Sequence, residues 1–415
     1  MIQSGNPASL GCLPSAVQPG GVRHVLATAV LGVFALYAAL HYLTPFPATD
    51  FFALWTYARL ALEHPVAELY DAVRLHALQV ALGLAPADWK PFPYPPTFLL
   101  LSWPMGLLSV GGAYFAWIGL TLAGFIWAAA GPRFRPAHVL LLLLAPATTV
   151  SVVAGQSGFL SGALLVGGMR LVRQRPWLGG MLLGLLTYKP QLGLLVPVAL
   201  VAAGCWRGLL AAGLTALALA AGATAAFGVD AWGDWLAALP GYSAGFAARA
   251  DLLRLQPTVL ANLLLMGVPD ATAHALQWAA SAGAVAMAWL AFRRGVTPAA
   301  IAVLIGAGFL ANPHAFFYDM PMVTAAVLLL SAAPGIGEAA FLLLVLCVPA
   351  AMVWTSASIS LPVLIAFPIY ALWRLAAIPG RAVQPAAGLS RRPPRHPTPS
   401  HAAACHAGEA GGGMG

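Results

Sequence analysis

A single carboxylate follows the first long apolar run of the chain. Asp50 stands in "PFPATDFFALWTYARLALEHP", residues 45 to 65, where apolar residues recur at helical spacing. An aspartate at the start of a helix can cap exposed amides, because the helix dipole favours a negative charge there. It can equally serve as a general base that removes a proton from a hydroxyl group. The residues alone leave both roles open.

Two further polar side chains interrupt apolar runs. Gln156 lies in "VAGQSGFLSG", where its amide could bond a sugar hydroxyl or the loop backbone. Lys189 lies in "LLTYKPQLGLL", where Pro190 breaks the helix. An ionisable group at membrane depth usually faces a cavity or a partner, although a lysine can also snorkel to the interface.

A third stretch, "LANPHAFFYDMPM" at 310 to 322, offers several hydrogen-bonding groups between prolines: Asn312, His314, Tyr318 and Asp319. A histidine and an aspartate five residues apart do not define a metal site. Upstream, the prolines of "WKPFPYPPTFLLL" fix an extended segment. Its aromatic residues, Tyr94 among them, suit an interfacial belt as well as ligand recognition.

The composition is that of a polytopic membrane protein. The 415 residues are 60% hydrophobic and only 8% charged, with a mean hydropathy of +0.84. So few charges cannot cover a soluble surface. The basic residues behind the net charge of +8 are scattered between apolar runs, which indicates membrane topology rather than nucleic-acid binding. The four cysteines lie far apart and support neither a metal site nor a disulfide framework.

Apolar segments recur along the chain and predict an all-α bundle. They fall at 22 to 44, 97 to 130, 137 to 153, 158 to 172, 177 to 189, 191 to 204, 208 to 227, 271 to 292, 297 to 311, 320 to 333, 338 to 355 and 357 to 375. We predict a polytopic bundle of about 10 to 13 transmembrane helices, several of them short of the ~20 residues that a crossing needs. Pro104 with Gly111 and Gly112 predicts a break within the long segment 97 to 130.

Arginine-containing loops predict the orientation. The loops with Arg133, Arg170, Arg207 and Arg293 should be cytoplasmic by the positive-inside rule. Asp50, the 155 to 158 loop, the Lys189 break and the 312 to 319 loop then share the outer face.

The sequence also predicts the organisation of the chain. The catalytic domain is expected at 22 to 378, with 22 to 44 as a retained signal anchor and 45 to 96 as an outer loop whose two short amphipathic helices are interrupted at Pro65. The terminal segments 1 to 21 and 379 to 415 are expected to be disordered and cytoplasmic.

In order and spacing, the polar stretches resemble glycosyltransferase family 87, which belongs to the GT-C class. The resemblance is carried by "DFFALWTYARLAL", "LYD" at 69 to 71, "YPP" at 94 to 96, "GQSG" at 155 to 158, "YKPQ" at 188 to 191 and "NPHAFFYD" at 312 to 319. Gly158 departs from the family, which often has an asparagine shortly after the Gly-Gln pair. No acceptor-recognition motif matches.

The resemblance implies an inverting transfer of a hexose, mannose in the best-understood members. The sugar would move from a polyprenyl phosphate to a lipid or glycan acceptor on the outer face of the cytoplasmic membrane. The implied general base is Asp50. Lys189 and His314, with Arg59 as a lesser candidate, would bind the donor phosphate. Contacts to sugar or acceptor are expected from Gln156, Tyr57, Tyr94, Asn312, Tyr318 and Asp319.

No nucleic acid, cofactor or bound metal is implied, and the need for a divalent metal is open. The alternative class is a secondary transporter or a flippase for lipid-linked substrates, since broken helices and an intramembrane lysine also suit a substrate pathway. No internal repeat relates the two halves of the sequence, which disfavours a transporter.

Overall fold

The fold is known from a computed structural model, which describes residues 49 to 131, 135 to 331, 334 to 355 and 360 to 377, with a few isolated positions between 32 and 40. Most of these residues are helical and none of them lies in a strand, which confirms the predicted all-α polytopic fold. Apart from those positions, the predicted signal anchor and both terminal segments lie outside the described residues.

Twenty α-helices and two 3-10 turns occupy the described ranges. The α-helices are α1 Thr49–Glu63, α2 Ala67–Tyr70, α3 Ala72–Ala81, α4 Thr97–Gly106, α5 Val110–Ala130, α6 Pro136–Leu144, α7 Pro146–Ala154, α8 Gly158–Leu171, α9 Pro176–Leu185, α10 Pro190–Gly193, α11 Val196–Ala202, α12 Trp206–Phe227, α13 Asp230–Ala247, α14 Ala250–Leu253, α15 Val259–Leu265, α16 Asp270–Phe292, α17 Pro298–Ala311, α18 Pro321–Leu330, α19 Ile336–Trp354 and α20 Ser360–Ala377; the 3-10 turns are Leu186–Tyr188 and Phe317–Asp319.

Five described helices are long and apolar enough to cross a bilayer: α5, α12, α16, α19 and α20. The helices α6 and α7 form a sixth span if their 55° bend lies within one crossing. Shorter apolar helices occupy 158 to 171, 190 to 202, 298 to 311 and 321 to 330. The larger number of crossings predicted from the sequence requires these shorter helices to cross as well.

The long segment 97 to 130 breaks where the sequence suggests a discontinuity. The chain leaves helical structure after Gly106, and Ser109 begins α5 as its N-cap, accepting a hydrogen bond from the amide of Gly112. Pro104 stays inside α4, within its last turn. The break therefore comes from the capping serine and the residues before it rather than from the proline itself.

The segment after the first apolar run is more deeply packed than a helix lying on a membrane surface. The helix α1 ends before Pro65, as predicted, and is followed by α2 and α3. Its residues Phe51, Leu54 and Ala58 are fully buried. The helix packs along α4 so closely that a Cβ on Gly106 would lie 2.6 Å from the carbonyl oxygen of Ala58.

The core that holds the site is built around α17. This helix is buried along almost its whole length and packs against α16, α18 and α20. The helix α18 in turn packs against α8. The connection from α17 to α18, residues 312 to 320, is thereby held against the turn that joins α7 to α8.

Candidate active site

Asp50 lies in the first turn of α1 and pairs with a lysine from a distant part of the chain. Its carboxylate oxygen Oδ1 is 2.5 Å from Nζ of Lys90. The two side chains are 27% and 22% exposed, so the ion pair lies at the edge of the core and stays accessible to a ligand. The position combines the favourable N-terminal end of a helix dipole with a fixed counter-ion.

The segment that carries Lys90 is anchored on α1 through a tyrosine. The hydroxyl of Tyr57 donates a hydrogen bond to the carbonyl of Pro91 at 2.6 Å, and it lies 3.2 Å from the carbonyl of Lys90. Tyr57 occurs seven residues after Asp50, about two helical turns further along the same helix. One helix therefore presents the carboxylate and fixes the loop that brings the lysine to it.

Gln156 and Tyr94 join the same site. The Gln156 side-chain amide approaches the carbonyl oxygen of Asp50 at 3.4 Å through Nε2, and its Oε1 accepts a hydrogen bond from the Tyr94 hydroxyl at 3.3 Å. The ring of Tyr94 stacks on Phe98, with ring centroids 4.3 Å apart. The structure therefore brings Asp50 and the 155 to 158 loop together, as the sequence predicted, and Tyr94 joins them.

Close packing on both sides of Gln156 explains the glycines that flank it. Gly155 has φ +70°, a conformation that favours glycine, and a Cβ there would overlap the side chain of Phe51. A Cβ on Gly158 would overlap the carbonyl oxygen of Tyr318. Because the backbone itself occupies the space at Gly158, no side chain at that position could reach a sugar in this chain.

Lys189 forms a buried ion pair rather than reaching an interface. Its Nζ lies 2.5 Å from Oδ1 of Asp319, and the two side chains are 4% and 0% exposed. The same ammonium lies 5.0 Å from the ring centroid of Tyr318. The other Asp319 oxygen accepts a hydrogen bond from the backbone amide of Phe316, which fixes the 3-10 turn that carries Tyr318.

Three tyrosine hydroxyls stand in the electrostatic field of Asp50. Burial, followed by the effects of neighbouring groups that include the Asp50 carboxylate, raises the pKa of Tyr57, Tyr94 and Tyr318. These tyrosines lie outside the membrane-length helices. They consequently stay protonated near neutral pH and can donate hydrogen bonds beside the carboxylate.

His314 lines a neighbouring cavity, and Asn312 fixes the turn that carries it. Nε2 of His314 lies 3.3 Å from the hydroxyl of Ser243, on α13. Asn312 ends α17, and its Oδ1 accepts a hydrogen bond from the His314 backbone amide at 2.8 Å. The side chain of Asn312 is fully buried. Of these two, only His314 faces open space.

Arg59 is directed away from Asp50. It pairs with Glu63 at 2.5 Å and donates to the carbonyl of Gly106 at 3.3 Å. Since it follows Asp50 by nine residues on one helix, it is displaced by about 13 Å along the helix axis. The structure therefore does not bring Arg59 together with the other candidates.

Sequence reasoning overlooked Lys90, whose motif was interpreted through its aromatic residues. The available signal was a lone lysine in a long stretch otherwise without positive charge, from 75 to 132, followed at once by a rigid proline-rich segment. Within the described ranges no group of three or more His, Cys, Asp or Glu side chains could hold a metal ion. The functional groups at the site are therefore one carboxylate, one accessible ammonium, one amide and several protonated phenols.

Comparison with known proteins gives one match. The family model described as Glycosyltransferase family 87 matches residues 92 to 313, slightly more than half of the chain. The matched range includes Tyr94, Gln156 and Lys189, whereas Asp50 lies before it. No curated protein and no solved structure matches the chain.

Proposed function

This chain belongs to glycosyltransferase family 87, and from that premise we propose that it transfers a hexose from a polyprenyl-phosphate donor to an acceptor at the outer face of the cytoplasmic membrane. The family membership and the apolar helices make it a membrane glycosyltransferase. The donor, the acceptor side and the inverting mechanism belong to the proposal.

One observation carries the proposal: an accessible carboxylate is fixed beside an accessible ammonium at the meeting point of three motifs. Asp50 and Lys90 are 2.5 Å apart, and Gln156 ties the backbone of Asp50 to Tyr94. Sugar transfer from a phosphate donor needs both functions, a base for the acceptor and a cation for the leaving group.

In the proposed reaction, Asp50 removes the proton from an acceptor hydroxyl as that oxygen attacks the anomeric carbon of the donor sugar. The new bond forms between the acceptor oxygen and the anomeric carbon. The bond from that carbon to the phosphate oxygen breaks, and its electron pair leaves with the polyprenyl phosphate. A single displacement of this kind inverts the anomeric configuration.

Lys90 is the cation that best fits the leaving group. In the resting site its charge is balanced by Asp50. As the carboxylate accepts the proton and becomes neutral, the ammonium is released to pair with the negative charge that stays on the phosphate. Lys189 is less suited to direct contact because Asp319 already neutralises it in a fully buried position. We assign that pair to positioning Tyr318.

Gln156, Tyr94 and Tyr318 would contact the sugar or acceptor hydroxyls, since their polar groups converge on the Asp50 region. Tyr57 acts as a positioning residue, because its hydroxyl is committed to the backbone of Lys90 and Pro91. Arg59 has no role in this scheme.

The direct test uses membranes with and without the protein, incubated with radiolabelled polyprenyl-phosphate mannose or glucose. We expect a labelled product that is chemically distinct from the donor and that names the acceptor on isolation. A transporter or flippase would instead move the label across sealed vesicles without forming a new product. Movement of the label across the vesicle membrane without a new labelled product, with both the mannose and the glucose donor, would contradict the proposed transfer.

A further inference from the structure

Four arginines gather at the end of the bundle away from the candidate active site. Arg173 and Arg175 lie between α8 and α9, Arg207 lies in the first turn of α12, and Arg293 directly follows α16. The helix α8 begins two residues after Gln156 and spans 14 residues, so Arg173 is displaced from Gln156 by roughly 20 Å along the helix axis. These four arginines, called the basic surface, take part in no step of the proposed reaction.

Close packing joins the loop between α8 and α9 to the start of α12. A Cβ on Gly208 would overlap the side chain of Val172 and would lie 3.8 Å from the carbonyl oxygen of Pro176. Those two residues flank the segment 173 to 175. Because Arg207 directly precedes Gly208, it lies beside the loop that carries the first two arginines of the basic surface.

The loop after α16 meets the same place. A Cβ on Gly295 would lie 2.9 Å from Nη1 of Arg173, so the Arg173 guanidinium lies against the loop that carries Arg293. The neighbouring Arg294 donates a hydrogen bond to the carbonyl of Leu375, near the end of α20, at 3.4 Å. The arginines of three separate loops therefore form one continuous surface.

No carboxylate of the described residues neutralises the basic surface. Its four arginines are exposed, and none of them forms an ion pair within the described ranges. The sequence explains this, because the segments 89 to 229 and 271 to 318 contain no aspartate or glutamate. Glu338 is already paired with Arg374 at 3.0 Å. The four positive charges therefore favour a ligand with negative charge.

Exposed tryptophans accompany the arginines. Trp177 lies in the first turn of α9, Trp206 begins α12, and Trp289 lies in the last turn of α16. Both α12 and α16 are long and apolar enough to cross a bilayer, so their ends reach the level of the lipid headgroups. Tryptophan and arginine at the ends of such helices are typical of the membrane interface. The ligand must therefore be available at that depth.

Depth and charge together select a lipid. Guanidinium groups bind phosphate oxygens through paired hydrogen bonds. Basic pockets between membrane helices bind lipid headgroups of this kind. The segment 379 to 415 of the same chain contains four arginines and one glutamate, so its charge does not complement the surface.

We propose that the basic surface binds the headgroups of anionic phospholipids in the adjoining leaflet. The phosphates are held by arginines from three loops, and the tryptophans contact the upper part of the acyl chains. The inference goes beyond the proposed sugar transfer, because it concerns the opposite end of the bundle and a ligand that is not consumed.

The test measures lipid binding without reference to catalysis. The purified full chain in a neutral detergent is titrated separately with phosphatidylglycerol and phosphatidylcholine, and native mass spectrometry reports the Kd of the first bound lipid. Each arginine at a membrane surface contributes about fivefold in affinity for an anionic lipid. We therefore expect phosphatidylglycerol to bind the parental chain at least about 25-fold more tightly than phosphatidylcholine.

Two double variants probe the surface from different loops. Arg207→Gln with Arg293→Gln, and separately Arg173→Gln with Arg175→Gln, should each raise the Kd for phosphatidylglycerol about 25-fold and leave that for phosphatidylcholine unchanged. All four positions are exposed, so both variants should fold, which circular dichroism checks. Arg249→Gln with Arg254→Gln removes the same charge outside the basic surface and is the matched control, with less than about a twofold change expected.

Selective binding of phosphatidylglycerol that is lost in the two double variants and kept in the control would support the lipid site, whether or not the chain transfers sugar. Equal affinity for the two lipids, or a preference that both folded double variants retain, would overturn it. An equal loss in the control would reduce the effect to net charge and overturn the site as well. Displacement of the bound lipid by inorganic phosphate or by poly-glutamate would indicate a soluble anion or an acidic protein instead, and would contradict the proposal.

Discussion

Two lysine-aspartate pairs with the same separation but different burial allow a direct comparison of their contributions to stability. Lys189 and Asp319 are 4% and 0% exposed, whereas Lys90 and Asp50 are 22% and 27% exposed. In each pair Nζ and Oδ1 are 2.5 Å apart. The perturbation is Lys189→Met alone, Asp319→Asn alone and both together, with Lys90→Met as the matched control.

The expected magnitudes follow from burial. Removing one partner of a buried pair leaves an uncompensated charge and lowers the free energy of unfolding by about 3 to 5 kcal/mol. Asparagine at 319 keeps an oxygen for the Phe316 amide, so Asp319→Asn isolates the loss of charge. The double variant should lie within about 2 kcal/mol of the parental protein, because no lone charge remains. Lys90→Met should cost about 1 kcal/mol or less at its more exposed position.

The assay is reversible unfolding of the purified chain in mixed micelles, followed by tryptophan fluorescence against the mole fraction of denaturing detergent. A coupling free energy of at least ~2 kcal/mol between positions 189 and 319 is expected. The reasoning is refuted if Lys189→Met destabilises no more than Lys90→Met. Additive losses in the double variant would refute it as well.

Three further predictions concern the site. Lys90→Met should lower kcat for sugar transfer by about 10² or more while the protein remains folded, as expected for the loss of a charge that stabilises the leaving group; an unchanged kcat in steady-state assays would exclude that role. Gly158→Ala should lower the unfolding temperature, because its Cβ overlaps the Tyr318 carbonyl, whereas Gly241→Ala, with open space around it, should not; equal melting curves would contradict the packing described here. The pKa of His314 is lowered in the folded state, so below pH ~6.5 the unfolded state binds more protons than the folded state. The free energy of unfolding should therefore decrease as the pH is lowered from about 6.5 toward the folded-state pKa. His314→Gln should flatten that dependence in unfolding curves recorded from pH 8 to 5, and an identical slope would argue against it.

The elements were largely predictable because apolar runs, prolines and caps act locally. The end of α1 before Pro65 and the interruption of segment 97 to 130 follow from neighbouring residues. The packing of α1 was not predictable in the same way. Its burial depends on α4, whose approach requires Gly106 against Ala58, and no pattern within α1 contains that information.

The sequence predicts site residues that lie within recognisable motifs. It does not predict which distant residues pair with them. Asp50 and Gln156 lie together, as expected of residues predicted to share one face, and Tyr94 joins them. Lys90 reaches Asp50 from a loop that Tyr57 anchors, and Lys189 meets Asp319 across 130 residues of sequence. Such pairings are decided by the packing of several helices, which a single sequence does not specify.

Sugar transfer by Asp50→Asn tests the central claim most directly. The variant keeps the size of the side chain and removes its basicity, and Asp88→Asn in the same segment, 45 to 96, is the control. With a radiolabelled polyprenyl-phosphate hexose and an acceptor that the parental chain glycosylates, we expect Asp50→Asn to lose about 10² to 10⁴ of the transfer rate, with Asp88→Asn close to parental. Parental rates in Asp50→Asn would contradict the assignment of Asp50 as the base.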